Sequence, residues 1–390
     1  MAEKSIYLDY HATTPVDDRV FARMAPMFTE KFANPASKNH TPGREVAALV
    51  EHSRSQVAQL VGAAAEEIVF TSGATEAINL ALKGAASMGR LDGGHIITFE
   101  TEHRATLDTC KVLQRAGCSV TFLPVGTDGL IDIEQVQQAV RENTFLISVL
   151  HGNNEIGVIQ PVKALGALCH QHGLLLHIDA AQSCATIPID VRSMGAHLLS
   201  LSAHKMYGPM GIGALYVRRR DPRVRLQAQM HGGGHEKGRR SGTLPAPLVV
   251  GFGAACELAS QIMETDRSRI ATLRDRLVGG LSAQLDAVVY NGHPEKRLAG
   301  NASLTFRGVN GAALIRALPA LAVRRGSACT TEEPEPSHVL QAIGLSREDA
   351  EATLRFGLGR FTTADEIETA IAMVAEAVQT LRSEMLQMAA

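Results

Sequence analysis

The sequence has no export signal, no long apolar run, no paired cysteine motif and no surplus of charge. Its opening, MAEKSIYLDY, lacks an apolar stretch of signal-peptide length. No later run approaches the ~18 uninterrupted apolar residues of a membrane-crossing helix. A cytoplasmic protein with no membrane partner is expected. The six cysteines, Cys110, Cys118, Cys169, Cys184, Cys256 and Cys329, contain no C-x-x-C pair, so neither a zinc knuckle nor a thioredoxin-type motif is supported. In a reducing compartment most should be buried, inert thiols. With 38 basic and 40 acidic side chains and a net charge of −2, no global basic field exists to draw in nucleic acid. There is no internal repeat or low-complexity segment. Two common phosphate signatures are also missing. No Gly-Lys-Ser/Thr closes a P-loop, and no G-x-G-x-x-G opens a helix.

What is present is a globular composition, 45% apolar and 20% charged, over 390 residues. That length suggests two domains, or one large unit with a smaller one. Apolar runs of strand length fall at 67–70, 95–99, 120–123, 145–150, 174–178, 197–201 and 213–217. Helical patterns fall between them at 44–61, 75–87, 105–115, 133–140 and 162–172. This alternation predicts an α/β fold with a mainly parallel seven-stranded sheet covered by helices. After about Leu244 the pattern changes to a long helical region, strands near 288–290, 302–306 and 354–358, and a helix near 312–318. In the last helix Ile367, Ile371, Val374, Val378, Leu381 and Met385 share one face. Thr363 and Glu366 form its capping box. The predicted division is a large domain at 16–260 and a smaller α+β domain made from 1–15 and 261–390.

Four segments carry chemistry. Lys205 follows an apolar run and precedes a glycine-rich turn, in SLSAHKMYGPMGIGALYV. It is either an exposed turn lysine or a buried amine with a lowered pKa, suited to Schiff-base formation. FTSGATEAINLALKG at 70–84 runs strand, glycine turn, helix. The amides of Ala74 and Thr75 make an anion site there, or merely the start of a capped helix. Asp179, at the end of LLLHIDAAQS, sits where α/β sheets bind ligands, and either caps a turn or meets a cation such as a protonated pyridine. Asn153, Asn154 and Glu155, and then His103, follow two other strand ends.

In order and spacing these segments resemble the cysteine desulfurases, within the class V aminotransferase group of fold-type I pyridoxal-phosphate enzymes. The closest likeness is to the iron–sulfur-cluster housekeeping type. The likeness runs through YLDYHATTP (7–15), NPAS (34–37), FTSGATE, TEHRA, NNEIG, DAAQS, SAHKMYGP, HGGGHEKGRRSGTLP (231–245), GSACT (326–330) and LRFGLGRFTT (354–363). It implies that Lys205 carries pyridoxal 5'-phosphate as a Schiff base. Ala74, Thr75, Ser202 and His204 would hold its phosphate, with Thr243 reaching in from a second subunit of a homodimer. Asp179 would pair with the ring nitrogen, Gln182 with the ring hydroxyl oxygen, and His103 would stack on the ring and assist proton transfer. Asn154 and Arg355 would hold the substrate carboxylate, Arg355 through its fork.

The resemblance also implies the reaction. L-cysteine would become L-alanine, leaving a persulfide on Cys329, whose sulfur passes to an acceptor protein such as an iron–sulfur scaffold, or toward tRNA thiolation. No resident metal is implied; Cys329 is a candidate transient ligand of iron. The alternatives of the same fold are a selenocysteine lyase or an aminotransferase, and outside catalysis a non-catalytic interaction protein. The sequence departs from the family pattern at Arg324-Arg325, where relatives often have small or polar residues, and in the acidic run Glu332, Glu333 and Glu335. Ala181 stands where several relatives have Thr. Some relatives carry a further tail that helps dock the cluster scaffold; this chain stops at Ala390, soon after the last helix, which leaves docking by that route open. Arg218 to Arg225 is either a partner surface or a solvated turn.

Overall fold

The computed structural model describes residues 5–325 and 336–389. A short strand, β1 (Ile6–Tyr7), opens the chain. Seven strands then build the large sheet: β2 (Ile68–Thr71), β3 (His95–Phe99), β4 (Ser119–Leu123), β5 (Thr144–Leu150), β6 (Leu175–Asp179), β7 (Leu198–Ser202) and β8 (Gly213–Val217). Their order is β2-β8-β7-β6-β5-β3-β4. All run parallel except β8, which is antiparallel to both neighbours. Each predicted strand lies within one or two residues of its observed bounds. The reason is local: β2, β3, β5, β7 and β8 are buried at every position, and a strand buried on both faces reads as an unbroken apolar run.

Helices cover both faces. On one side Thr41–Leu60 packs with the long helix Ala246–Gln284 over a core containing Phe70, Ile97, Ile147, Ile178 and Phe252. On the other, Ala74–Ala86 and Arg104–Arg115 bury Ile78, Leu82 and Leu113 against Ile96 and Leu146. The helix Val162–His172 ends at Gly173, whose φ of 66° is the left-handed cap that glycine adopts without a Cβ clash.

The second sheet follows: β9 (Val288–Tyr290), β10 (Asn301–Phe306), β11 (Leu321–Ala322), β12 (Arg324–Arg325) and β13 (Thr353–Gly357). Four of these pair antiparallel in the order β12-β13-β10-β9, while β11 pairs with β1. A separate core lies here, with Leu8, Leu304, Phe306, Leu354 and Phe356 against Ile367, Ile371, Val374 and Val378 of the last helix, Ala364–Ala389. The Thr363–Glu366 capping box is present in both directions, at 2.9 and 3.2 Å. Met385 differs from expectation: it is 49% exposed, because the helix runs on past the end of this core. The long helix contributes Ala246 to Leu258 to the first core and Leu273, Leu277 and Leu281 to the second. Position 260 therefore falls inside one continuous helix. That helix is long and apolar enough to cross a membrane by length and composition, but 56% of its apolar window is buried between the layers.

Candidate active site

The parallel strands all end at one edge of the large sheet, and the candidate residues sit just beyond those ends. Ala74 and Thr75 follow β2, His103 follows β3, Asn154 follows β5, Asp179 ends β6, and Ser202 ends β7 with His204 and Lys205 in the next turn. Ligands of open α/β sheets bind at this edge. Here the edge opens into a cavity of about 1220 Å³, lined by every one of those residues together with Gln182 and Arg355. Thr243 is not among the lining residues. It is exposed beside a second, shallower depression with Phe28 and Phe32. Cys329 lies outside the described residues.

The anion end of the cavity is the start of the helix Ala74–Ala86. Gly73 precedes it with φ 154°, and no side chain caps the first turn. The first amides are therefore free to meet a phosphate, with the helix dipole adding to the attraction. Gly213 supports this turn from below: a Cβ there would lie 2.7 Å from the Gly73 Cα and 2.4 Å from the Leu201 carbonyl oxygen. His204 backs the same end through its Nδ1 and the Thr13 hydroxyl, 3.1 Å apart. Burial lowers its pKa to about 4, so it sits neutral.

Lys205 is not a free turn lysine, and it makes no ion pair among the described residues. Its Nζ donates to the carbonyl of Ala12 at 2.8 Å and to that of His11. Desolvation first, and then the charge of Arg355, lower its pKa to about 8. The segment that supplies these carbonyls also holds Gln182, whose amide donates to the His11 carbonyl at 2.7 Å while its oxygen lies 3.2 Å from the His11 ring. His11 itself is buried, with Nε2 unpartnered, and burial lowers its pKa to about 3.

Asp179 is 2% exposed and accepts from the Ala181 amide at 3.0 Å. No cation pairs with it among the described residues. Burial raises its pKa, partly opposed by that amide and by the charges of His103 and Lys205. A buried carboxylate lacking a cation is costly unless a ligand brings one. His103 caps the helix Arg104–Arg115 by accepting from the Ala105 amide at 3.1 Å. Its neighbour Glu102 was not singled out from sequence. Glu102 turns inward, accepts from the Leu150 amide at 2.7 Å, and leaves its other oxygen buried without a partner. Burial raises its pKa well above the usual carboxylate range.

The second sheet forms the opposite wall. From β13, Arg355 donates one terminal N–H to the Asn154 carbonyl at 2.9 Å and another to Asp9 at 2.6 Å, leaving Nε unpartnered. Part of the fork expected for substrate is thus committed to the protein. Asp9 was not foreseen as its counter-ion, because 346 residues separate the two.

These residues fit pyridoxal phosphate. An uncapped helix start would meet its phosphate, a buried carboxylate with no cation among the described residues would meet its ring nitrogen, and a partly neutral amine would meet its aldehyde.

Comparisons with known proteins agree. The family model for class-V aminotransferases matches residues 6–369. Cysteine desulfurase IscS of Tolumonas auensis is 52% identical over 379 residues, 97% of this chain and 93% of the relative. Among solved structures, a NifS-like protein superposes with a TM-score of 0.89 at 34% identity, covering 97% of this chain and all of that one. A structure titled SspA in complex with cysteine superposes with a TM-score of 0.78 at 38% identity, over 92% of this chain and 100% of that one. The chain belongs to the class-V aminotransferase family, among its pyridoxal-phosphate-dependent cysteine desulfurases.

Proposed function

We propose that this protein converts L-cysteine to L-alanine and passes the released sulfur, by way of a persulfide on Cys329, to an acceptor protein for iron–sulfur assembly. The observation that carries the reading is the placement of Lys205 and Asp179 at adjacent strand ends, both facing one cavity that a helix N-terminus closes. Pyridoxal phosphate, when bound, supplies an electron sink for the Cα–H bond that must break. Ala74, Thr75, Ser202 and His204 would hold its phosphate, Asp179 its ring nitrogen and Gln182 its ring oxygen, and His103 would cover the ring.

Lys205, with its lowered pKa, is a base of suitable strength to move the proton at the substrate Cα. Asn154 and Arg355 fix the substrate carboxylate. The Cys329 thiolate attacks the substrate sulfur. The carbon–sulfur bond breaks, its electron pair ends as a C–H bond of alanine, and the sulfur stays on Cys329 as a persulfide. Thiol reduction or an acceptor protein then removes it.

The working unit in this reading is a cytoplasmic homodimer in which the partner subunit's Thr243 completes the phosphate site. Supporting it are the exposed Thr243 and the neighbouring Phe28 and Phe32, 55% and 76% exposed. Exposed apolar groups of this kind mark interfaces. The test is alanine and sulfide release from L-cysteine with a reducing thiol, on native protein and Cys329→Ala in parallel. Equal release by the native protein and none by the variant is the expected result. An unimpaired variant sinks the persulfide route and points to amino-group transfer or selenocysteine cleavage.

A further inference from the structure

Arg324 and Arg355 are direct partners in the antiparallel register of β12 and β13. Direct partners on a sheet present their side chains on one face about 5 Å apart, where like charges repel. Both side chains line the active-site cavity. Arg355 has Asp9 as counter-ion. Half-buried Arg324 has no hydrogen bond or ion pair among the described residues. Among the described residues Arg324 therefore has no counter-ion, and it is held beside the Arg355 guanidinium. Such an arrangement is unfavourable unless an anion binds there.

On this pair of strands Arg355 and Asp9 cancel, and a group with one negative charge, such as a carboxylate, would balance Arg324. A carboxylate offers about four acceptor positions. Each terminal nitrogen of Arg355 spends one N–H, on Asn154 or Asp9, and keeps a second that can fill one of them, and the fork of Arg324 can fill two more.

We propose that Arg324 is a substrate-binding residue that, with Arg355, clamps the α-carboxylate of the amino acid between two guanidiniums from adjacent strands. The inference deepens the reading that the cavity takes L-cysteine and rests on it. It makes Arg324 a selector for substrates that carry a carboxylate.

The experiment uses the pyridoxal-phosphate-loaded protein with two probes, L-alanine and ethylamine, the latter being alanine without its carboxylate. Their dissociation constants are measured by calorimetry on native protein, Arg324→Gln and Arg324→Lys. Removing one of two facing positive charges relieves repulsion, so Arg324→Gln is expected to fold at least as stably as native. It should weaken L-alanine about 10- to 100-fold, the usual cost of a lost hydrogen bond to a charged group, and leave ethylamine unchanged. Arg324→Lys should fall between. The KM for L-cysteine should rise by a similar factor with little change in kcat. Native-like L-alanine affinity in Arg324→Gln, or equal weakening of both probes, overturns the clamp. Native protein that binds L-alanine but makes none from cysteine would instead overturn the desulfurase reading and leave the clamp result standing.

Discussion

Lys205 Nζ lies 2.8 Å from the carbonyl oxygen of Ala12, a residue 193 positions earlier in the chain. The amine is thereby held in the cavity wall by backbone dipoles rather than by a carboxylate. A carboxylate partner would favour its charged form. Carbonyls orient it while burial and Arg355 keep its pKa down near 8.

That value makes cofactor loading pH-dependent. Only the neutral amine attacks an aldehyde, and its fraction rises as pH passes upward through the pKa. The rate at which cofactor-free protein takes up pyridoxal phosphate, followed by absorbance, should climb and level off with a midpoint close to pH 8. A midpoint near the ordinary lysine value of 10.5 would mean that the amine is not desolvated.

Glu102 should impose the opposite slope on stability. Its folded-state pKa is raised well above 4.5 by burial, so the folded form holds a proton that the unfolded chain has released. Stability from this group is complete below the unfolded pKa and is lost as pH rises toward the folded one. Glu102→Gln keeps the shape and removes the titration. Urea melts across pH 5 to 8 should show a smaller decline for the variant than for native protein. Parallel curves would contradict the assignment.

Arg360 joins three elements. It pairs with Asp17 at 2.9 Å and Asp266 at 2.8 Å, and lies over the Tyr207 ring at 4.0 Å. Asp17 and Arg360 are nearly inaccessible, 3% and 8% by side chain. Arg360→Ala takes from Asp266 its guanidinium and from Asp17 one of two, Arg19 remaining, and is expected to cost about 1.5–3 kcal/mol, read by chemical denaturation. Asp17, whose pKa is depressed chiefly by Arg19 and further by Arg360, stabilises above its unfolded pKa. That contribution disappears as pH falls. A loss below 1 kcal/mol in Arg360→Ala would show that the cluster is solvated in practice.

Gly213→Ala should damage cofactor binding more than folding. The added methyl would press on the Gly73 Cα and the Leu201 carbonyl, opening the turn whose amides would face the phosphate. Overpacking of this kind costs about 1–3 kcal/mol. The dissociation constant for pyridoxal phosphate should rise while the thermal midpoint falls only slightly. Unchanged affinity would place the phosphate elsewhere.

The sequence by itself determined the large sheet and most of the candidate site. Strands buried on both faces leave unbroken apolar runs, and a site built at the ends of such strands keeps its residues beside recognisable elements: Lys205 after one, Asp179 ending another, Ala74 and Thr75 opening a helix. Two-residue strands such as β1, β11 and β12 carry no periodicity, so the wall they build could not be read. Glu102 was hidden by its neighbour, because which of two successive side chains turns inward depends on how β3 leaves the sheet. The partners decided only by tertiary structure are Asp9 for Arg355, Ala12 for Lys205 and Arg324 facing Arg355. Each joins segments distant in the chain. Electrostatic and hydrogen-bonding geometry acts across a few ångströms of space, and only the packing of the second sheet against the first brings those segments within that distance.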